Sequence, residues 1–150
     1  MWRRLRSLGR LPGAERRLAL RALALLVVVR VALRLVSFAT VRALVDRWAA
    51  RDSTAPDPLY ARAVRRAVDR AARTVPGSAC LAQALTAECM LRRIGLEARV
   101  SIGVAPDGRP LDAHAWVESA GICVTGERDD LGKYRTLLVF DGHPHTARAP

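Results

Sequence analysis

Cys80 and His114 carry most of the chemistry open to this sequence. Cys80 comes two residues after Ser78, which stands where the N-cap of a helix is expected. A thiol in the first turn of a helix meets backbone N–H groups with no intrahelical partner, at the positive end of the macrodipole. Such a setting stabilises a thiolate nucleophile and offers donors to a developing oxyanion. The plainer reading of a single cysteine is a small buried hydrophobe. Cys89 lies nine residues further on, about half a turn out of phase at ~100° per residue, so the two thiols face opposite ways. It sits mid-helix beside Met90 and Leu91 and reads as core, and Cys123 in a short strand reads as packing.

His114 lies in Ala113-His114-Ala115-Trp116-Val117-Glu118, on an expected strand with small neighbours on both sides. A neutral imidazole takes a proton from a thiol and returns it to a leaving amine. By itself the residue reads equally as a half-buried strand histidine. The strands after Gly95 must pack on the helix that bears Cys80, which makes a Cys–His pair the expectation. A third group should accept the imidazole N–H and fix its tautomer. Candidates after His114 are Glu127, Asp129 and Asp130: Glu127, closing the strand after that of His114, is the first choice, with Asp129 in reserve, and Asp112, Asp129 and Asp130 read equally as solvated turn residues. His143, His145 and Cys123 match no zinc spacing, and Gly103, Gly108 and Gly121 form no phosphate-binding loop, so neither a metal nor a cofactor is expected.

The elements that must position these residues follow from period and punctuation. Residues 1–13 are a basic tail, and 14–50 read as helix with a break near Ser37. Leu20, Leu23, Val27, Val31, Leu35 and Phe38 recur at steps of three or four and define one apolar stripe. Residues 51–58 are a linker, Asp57-Pro58 starts a helix over 59–73, and Ser78 starts the next over 79–94, with Gly95 as its stop. The period then alternates: strands are expected at 98–104, 112–118, 122–125 and 134–140, with a tight turn at Ala120-Gly121. The domain division that follows is a basic helical segment (1–50), an α+β domain (57–141) and a flexible tail (142–150). Helices first and an antiparallel meander second define the α+β class.

Composition narrows the setting. The 150 residues are 51% hydrophobic and 26% charged, a globular profile able to bury a core without disulfides. The net charge is +11, and residues 1–50 hold eleven arginines against Glu15 and Asp46. Basic character therefore belongs to the N-terminal third. It is compatible with peripheral contact to an anionic membrane, or with nucleic acid, although the apolar content of the segment argues against the latter. Three cysteines, no signal peptide and no transmembrane span point to a cytoplasmic setting.

Taken in order, Cys80 with Leu81-Ala82-Gln83-Ala84-Leu85, the block from Leu91 to Arg99 (LRRIGLEAR), Ile102-Gly103-Val104 and the His114 strand (AHAWVE) resemble a known family. The chain is similar to the transglutaminase-like cysteine leader peptidases of lasso-peptide biosynthesis over about residues 61–140. The resemblance implies a papain/transglutaminase-like core in which a nucleophile helix packs on a small antiparallel sheet. It implies Cys80 as nucleophile and His114 as general base and acid. It also implies an acid about a dozen residues after the histidine, where this chain reads Val124-Thr125-Gly126-Glu127. The implied partners are a precursor peptide, a separate leader-recognition protein and a ring-closing cyclase. Two other functions remain open on the residues: a Cys–His acyltransferase or transglutaminase-type amide-forming enzyme, and a non-catalytic basic protein binding nucleic acid or a membrane surface.

Overall fold

The structure, a computed structural model, describes residues 12–49, 59–75, 77, 79–106, 112–127, 129–141 and 147–148. Helix α1 (Gly13–Leu35) is rich in Leu, Ala and Arg, all strong helix formers. Val36 turns extended and its N–H closes the last turn on the Ala32 carbonyl at 2.9 Å. Ser37 then caps helix α2 (Phe38–Ala49), its Oγ accepting the Thr40 N–H at 3.2 Å. The break expected near Ser37 is thus a cap. Helix α3 (Leu59–Thr74) and helix α4 (Cys80–Arg92) follow, and the Leu96 N–H bonds back to the Leu91 carbonyl at 3.2 Å as the chain leaves α4 through Gly95. The expected linker and the Asp57-Pro58 start lie outside the described residues.

Beyond Gly95 the chain forms β1 (Arg99–Ala105), β2 (Asp112–Ser119), β3 (Ile122–Thr125), a short 3-10 turn (Leu131–Lys133), β4 (Arg135–Asp141) and the two-residue β5 (Ala147–Arg148). The sheet is antiparallel, in the order β3-β2-β1-β4-β5. Ala120 and Gly121 make the two-residue turn between β2 and β3 with φ of 49° and 75°. Where a flexible tail was expected at 142–150, Ala147 and Arg148 pair with Phe140 and Val139; the rest of that tail lies outside the described residues. The architecture is α+β, with α4 packed on β1, β2 and β3 and α3 packed on β3.

One apolar cluster runs through both parts of the chain, across the boundary expected at 51–58. Ala22, Leu26 and Val29 of α1 and Val41 and Val45 of α2 join Val64, Val68, Leu85 and Leu91 of α3 and α4, and Val100, Val117 and Val124 of the sheet. The buried face of α1 is Ala19, Ala22, Leu26 and Val29. Of the stripe expected from periodicity, Leu23 and Phe38 pack against this cluster, whereas Leu20, Val27, Val31 and Leu35 are exposed, Leu35 at 77%. Small Ala19 and Ala22 let α1 approach α3 closely, and that approach decides which face is buried. Leu59, at the start of α3, is also exposed; Ala61, Val64, Ala67, Val68 and Ala71 face inward. An apolar groove of about 800 Å³ runs beside α1, lined by Leu25, Val28, Leu44, Trp48, Met90 and Ile94, with Arg21 and Arg93 at its margins.

Glu88, in the middle of α4, has 0% exposure. Arg42 of α2 forks onto both of its carboxylate oxygens. Arg42 also reaches Asp46 at 2.7 Å, and Arg92 bonds Glu88 at 3.1 Å and Asp46 at 2.7 Å. Two cations and two anions therefore close a neutral network. Burial pushes the Asp46 carboxyl up, but hydrogen bonds from Arg42 and Arg92 outweigh it and hold its pKa below the ordinary value. Glu88→Ala leaves the arginines in excess and is expected to cost about 3–5 kcal/mol in urea unfolding. Asp46 has a lowered folded-state pKa, so its contribution is complete above the unfolded-state value and fades as pH falls through the folded one. Wild type and Asp46→Asn should accordingly differ most near neutral pH and converge in acid. In the same assay Leu26→Ala should cost about 2–5 kcal/mol, and Leu35→Ala no more than about 0.5 kcal/mol.

Candidate active site

Cys80 is the first residue of α4 and is half-buried against the rim of the core. The N-cap is Ala79, not Ser78, which lies outside the described residues. Ala79 carries no side-chain acceptor and makes no side-chain cap bond; its carbonyl accepts the first helical bond, from Gln83 N–H at 3.2 Å. The helix start expected from a capping serine thus falls one residue later. The first-turn N–H groups around Cys80 therefore receive no acceptor from the N-cap side chain.

The other two thiols are set apart from this position. Burial pushes the Cys89 thiol up to about 12, with Glu88 adding to the effect, and Cys89 is 2% exposed. Burial likewise pushes Cys123 up to about 11, with Glu127 and Glu118 contributing, and its Sγ–H donates to the Thr125 carbonyl. Both behave as the packing residues that sequence suggested.

His114 lies on β2, the strand against which α4 packs. Ala115 and Val117 belong to the core under α4, so strand alternation places His114, with Asp112 and Trp116, on the other face of β2. β3 pairs with β2 only from Val117 to Ser119, which leaves the edge of β2 at His114 to the residues that follow β3. There the Gly126 carbonyl lies 2.7 Å from His114 Nε2. A carbonyl only accepts, so Nε2 carries a proton, and in the neutral ring the lone pair falls on Nδ1. The imidazole stands between Trp116 (centroids 6.2 Å, 17° between planes) and Tyr134 (5.3 Å, 39°). Tyr134 donates its hydroxyl to Asp112 at 2.9 Å. The indole of Trp116 covers Gly103, where a Cβ would come within 3.2 Å of it.

The acid expected to orient His114 is engaged elsewhere. Glu127 pairs with Arg65 of α3, whose other nitrogen donates to the Cys123 carbonyl at 3.0 Å. Asp129 is exposed, Asp130 pairs with Lys133 at 2.7 Å, and Asp112 takes the Tyr134 hydroxyl. Sequence reasoning therefore missed Gly126 and Tyr134 as the neighbours of the imidazole, and Arg65 as the partner of Glu127. Gly126 does fall twelve residues after His114, the place where an acid was sought. Among the described residues no group of three His, Cys, Asp or Glu could hold a metal; His143 and His145 lie outside them. No helix of the described residues is long and apolar enough to cross a membrane.

Residues 23–139 match the model of the transglutaminase-like superfamily, and the chain belongs to that superfamily. Its enzymes are cysteine peptidases and acyltransferases, which agrees with a Cys-headed helix packed on a His-bearing sheet. No curated protein and no solved structure is similar enough to match. Brief alkylation of the native protein at neutral pH should mark Cys80 and spare Cys89 and Cys123, as read by peptide mass mapping, because burial holds the latter two in the thiol form.

Proposed function

We propose that this chain is a cysteine peptidase that removes the leader from a ribosomally made lasso-peptide precursor, working with a separate leader-binding protein. The observation that carries the reading is the contact of His114 Nε2 with the Gly126 carbonyl, which leaves Nδ1 as the basic nitrogen of the neutral ring. The superfamily membership and the position of Cys80 at the start of a helix packed on the same strand support it. The reading requires the Cys80 thiol to reach Nδ1 of His114, the ring nitrogen that the Gly126 carbonyl does not engage. The exposed apolar groove beside α1 supports dependence on a partner.

The reaction follows from these groups. Nδ1 of His114 takes the Cys80 thiol proton, and the thiolate attacks the amide carbonyl at the leader–core junction. N–H groups in the first turn of α4 hold the oxyanion. The imidazolium returns its proton to the core amine as the C–N bond breaks, leaving the leader as a thioester on Cys80. Water, deprotonated by His114, then hydrolyses that thioester and frees the thiol. An amine in place of water would make the same site an acyltransferase.

The test is intact mass of a precursor peptide incubated with this protein and a leader-binding partner. Wild type and Cys89→Ala are expected to release leader and core. Cys80→Ala and His114→Ala are expected to lose activity by on the order of 10³-fold or more. Equal cleavage by Cys80→Ala and wild type overturns the reading. A thioester that accumulates until an added amine discharges it moves the assignment to acyl transfer.

A further inference from the structure

We infer that the group that orients His114 is the main-chain carbonyl of Gly126, held in place by a clamp from Arg65, with no acidic side chain of the described residues as the direct partner of the imidazole. The inference rests on the Cys–His reading of the reaction, but its structural content stands apart from the substrate.

Three observations carry it. First, among the described residues the imidazole finds its polar partner in that carbonyl, at 2.7 Å from Nε2. Second, Gly126 is built into its place. Its φ is +76°, and a Cβ there would fall 2.5 Å from the Ala115 carbonyl oxygen and 2.9 Å from the Trp116 backbone. A residue with a side chain meets both a strained dihedral and a collision with β2. The close approach that excludes a side chain is the same one that presses the carbonyl against the histidine strand.

Third, the segment that carries Gly126 is tied on both sides by one residue. Arg65 donates to the Cys123 carbonyl on one side of Gly126 and pairs with the Glu127 carboxylate on the other. Glu127 therefore acts on the imidazole through Arg65 and the backbone, as a positioning residue. The planar, multi-donor guanidinium suits a tie to two acceptors at once, which a lysine would not reproduce. Trp116 and Tyr134 restrict ring rotation, so a single acceptor suffices to select the tautomer.

The experiment is long-range 1H–15N correlation NMR of the full chain at a pH where the imidazole is neutral. His114→Gln assigns the signal among the chain's three histidines. The expected wild-type result is an Nε2-protonated ring with an exchange-protected Nε2–H and an unprotonated Nδ1. In Glu127→Gln, whose amide oxygen still accepts from Arg65, that signature should persist. In Arg65→Ala, which removes both ties, exchange of the Nε2–H with water should accelerate about tenfold or more. An Nδ1-protonated ring or a mixture of tautomers in wild type overturns the inference. So does loss of the signature in Glu127→Gln with the fold intact by circular dichroism, which would make the carboxylate the direct partner. The signature needs no substrate: if it holds while wild type fails to cleave a precursor, the peptidase reading fails and the assignment of Gly126 stands.

Discussion

The carboxylate of Glu88 is the constraint on which the rest of the molecule depends. A fully buried charge in the middle of α4 is tolerable only if cations reach it, and the nearest helical turn supplies one in Arg92. The second must come from another element, and Arg42 of α2 provides it. Helix α2 is thereby fixed across α4, and the Arg42 guanidinium extends the contact to the sheet by lying 5.0 Å from the Phe140 ring. Phe38 meets the same ring edge-on at 6.0 Å. The N-terminal helices are in this way part of the structure that aims α4, and with it Cys80.

Around His114 the immediate partners are neutral groups. The face of β2 away from the core carries His114 between two aromatic rings, and the backbone after β3 closes over its edge. Arginines from the helix layer stabilise both regions: Arg42 and Arg92 bind side chains beneath α4, and Arg65 binds a carbonyl and a carboxylate at the end of β3. Cation-to-oxygen contacts thus tie the helix layer to itself through Glu88 and to the end of β3 through Arg65.

Much of this was legible in the sequence. Cys80 at a helix start, His114 on a strand, the Ala120-Gly121 turn and the four main strands follow from punctuation and alternation, because short β elements bounded by turn residues leave little choice of register. The face of α1 was not legible. From Leu18 to Leu35 only Arg21, Arg30 and Arg34 interrupt the apolar residues, so periodicity could not choose between the exposed Leu20, Val27, Val31 and Leu35 and the buried Ala19–Val29 face; the choice is made by the close approach of α3. The orienting group was not legible either. A search for an acid after His114 finds Glu127, whereas the acceptor in place is a backbone carbonyl, which leaves no side-chain signature. Glu88 and Arg42 look like ordinary helical charges until α2 and α4 are brought together.

The exposed flank of α1 and α2 has a consequence for handling the protein. Leu35, Val28, Leu44 and Trp48 present apolar surface to water on a molecule that carries a net charge of +11. In dilute buffer the mutual repulsion of like-charged copies keeps those surfaces apart. At ~1 M salt the screening length contracts to roughly 3 Å, and the repulsion no longer reaches across the gap between two molecules. Solubility is therefore a colloidal property set by ionic strength, and concentrated salt should drive copies together through the flank that their charge otherwise protects.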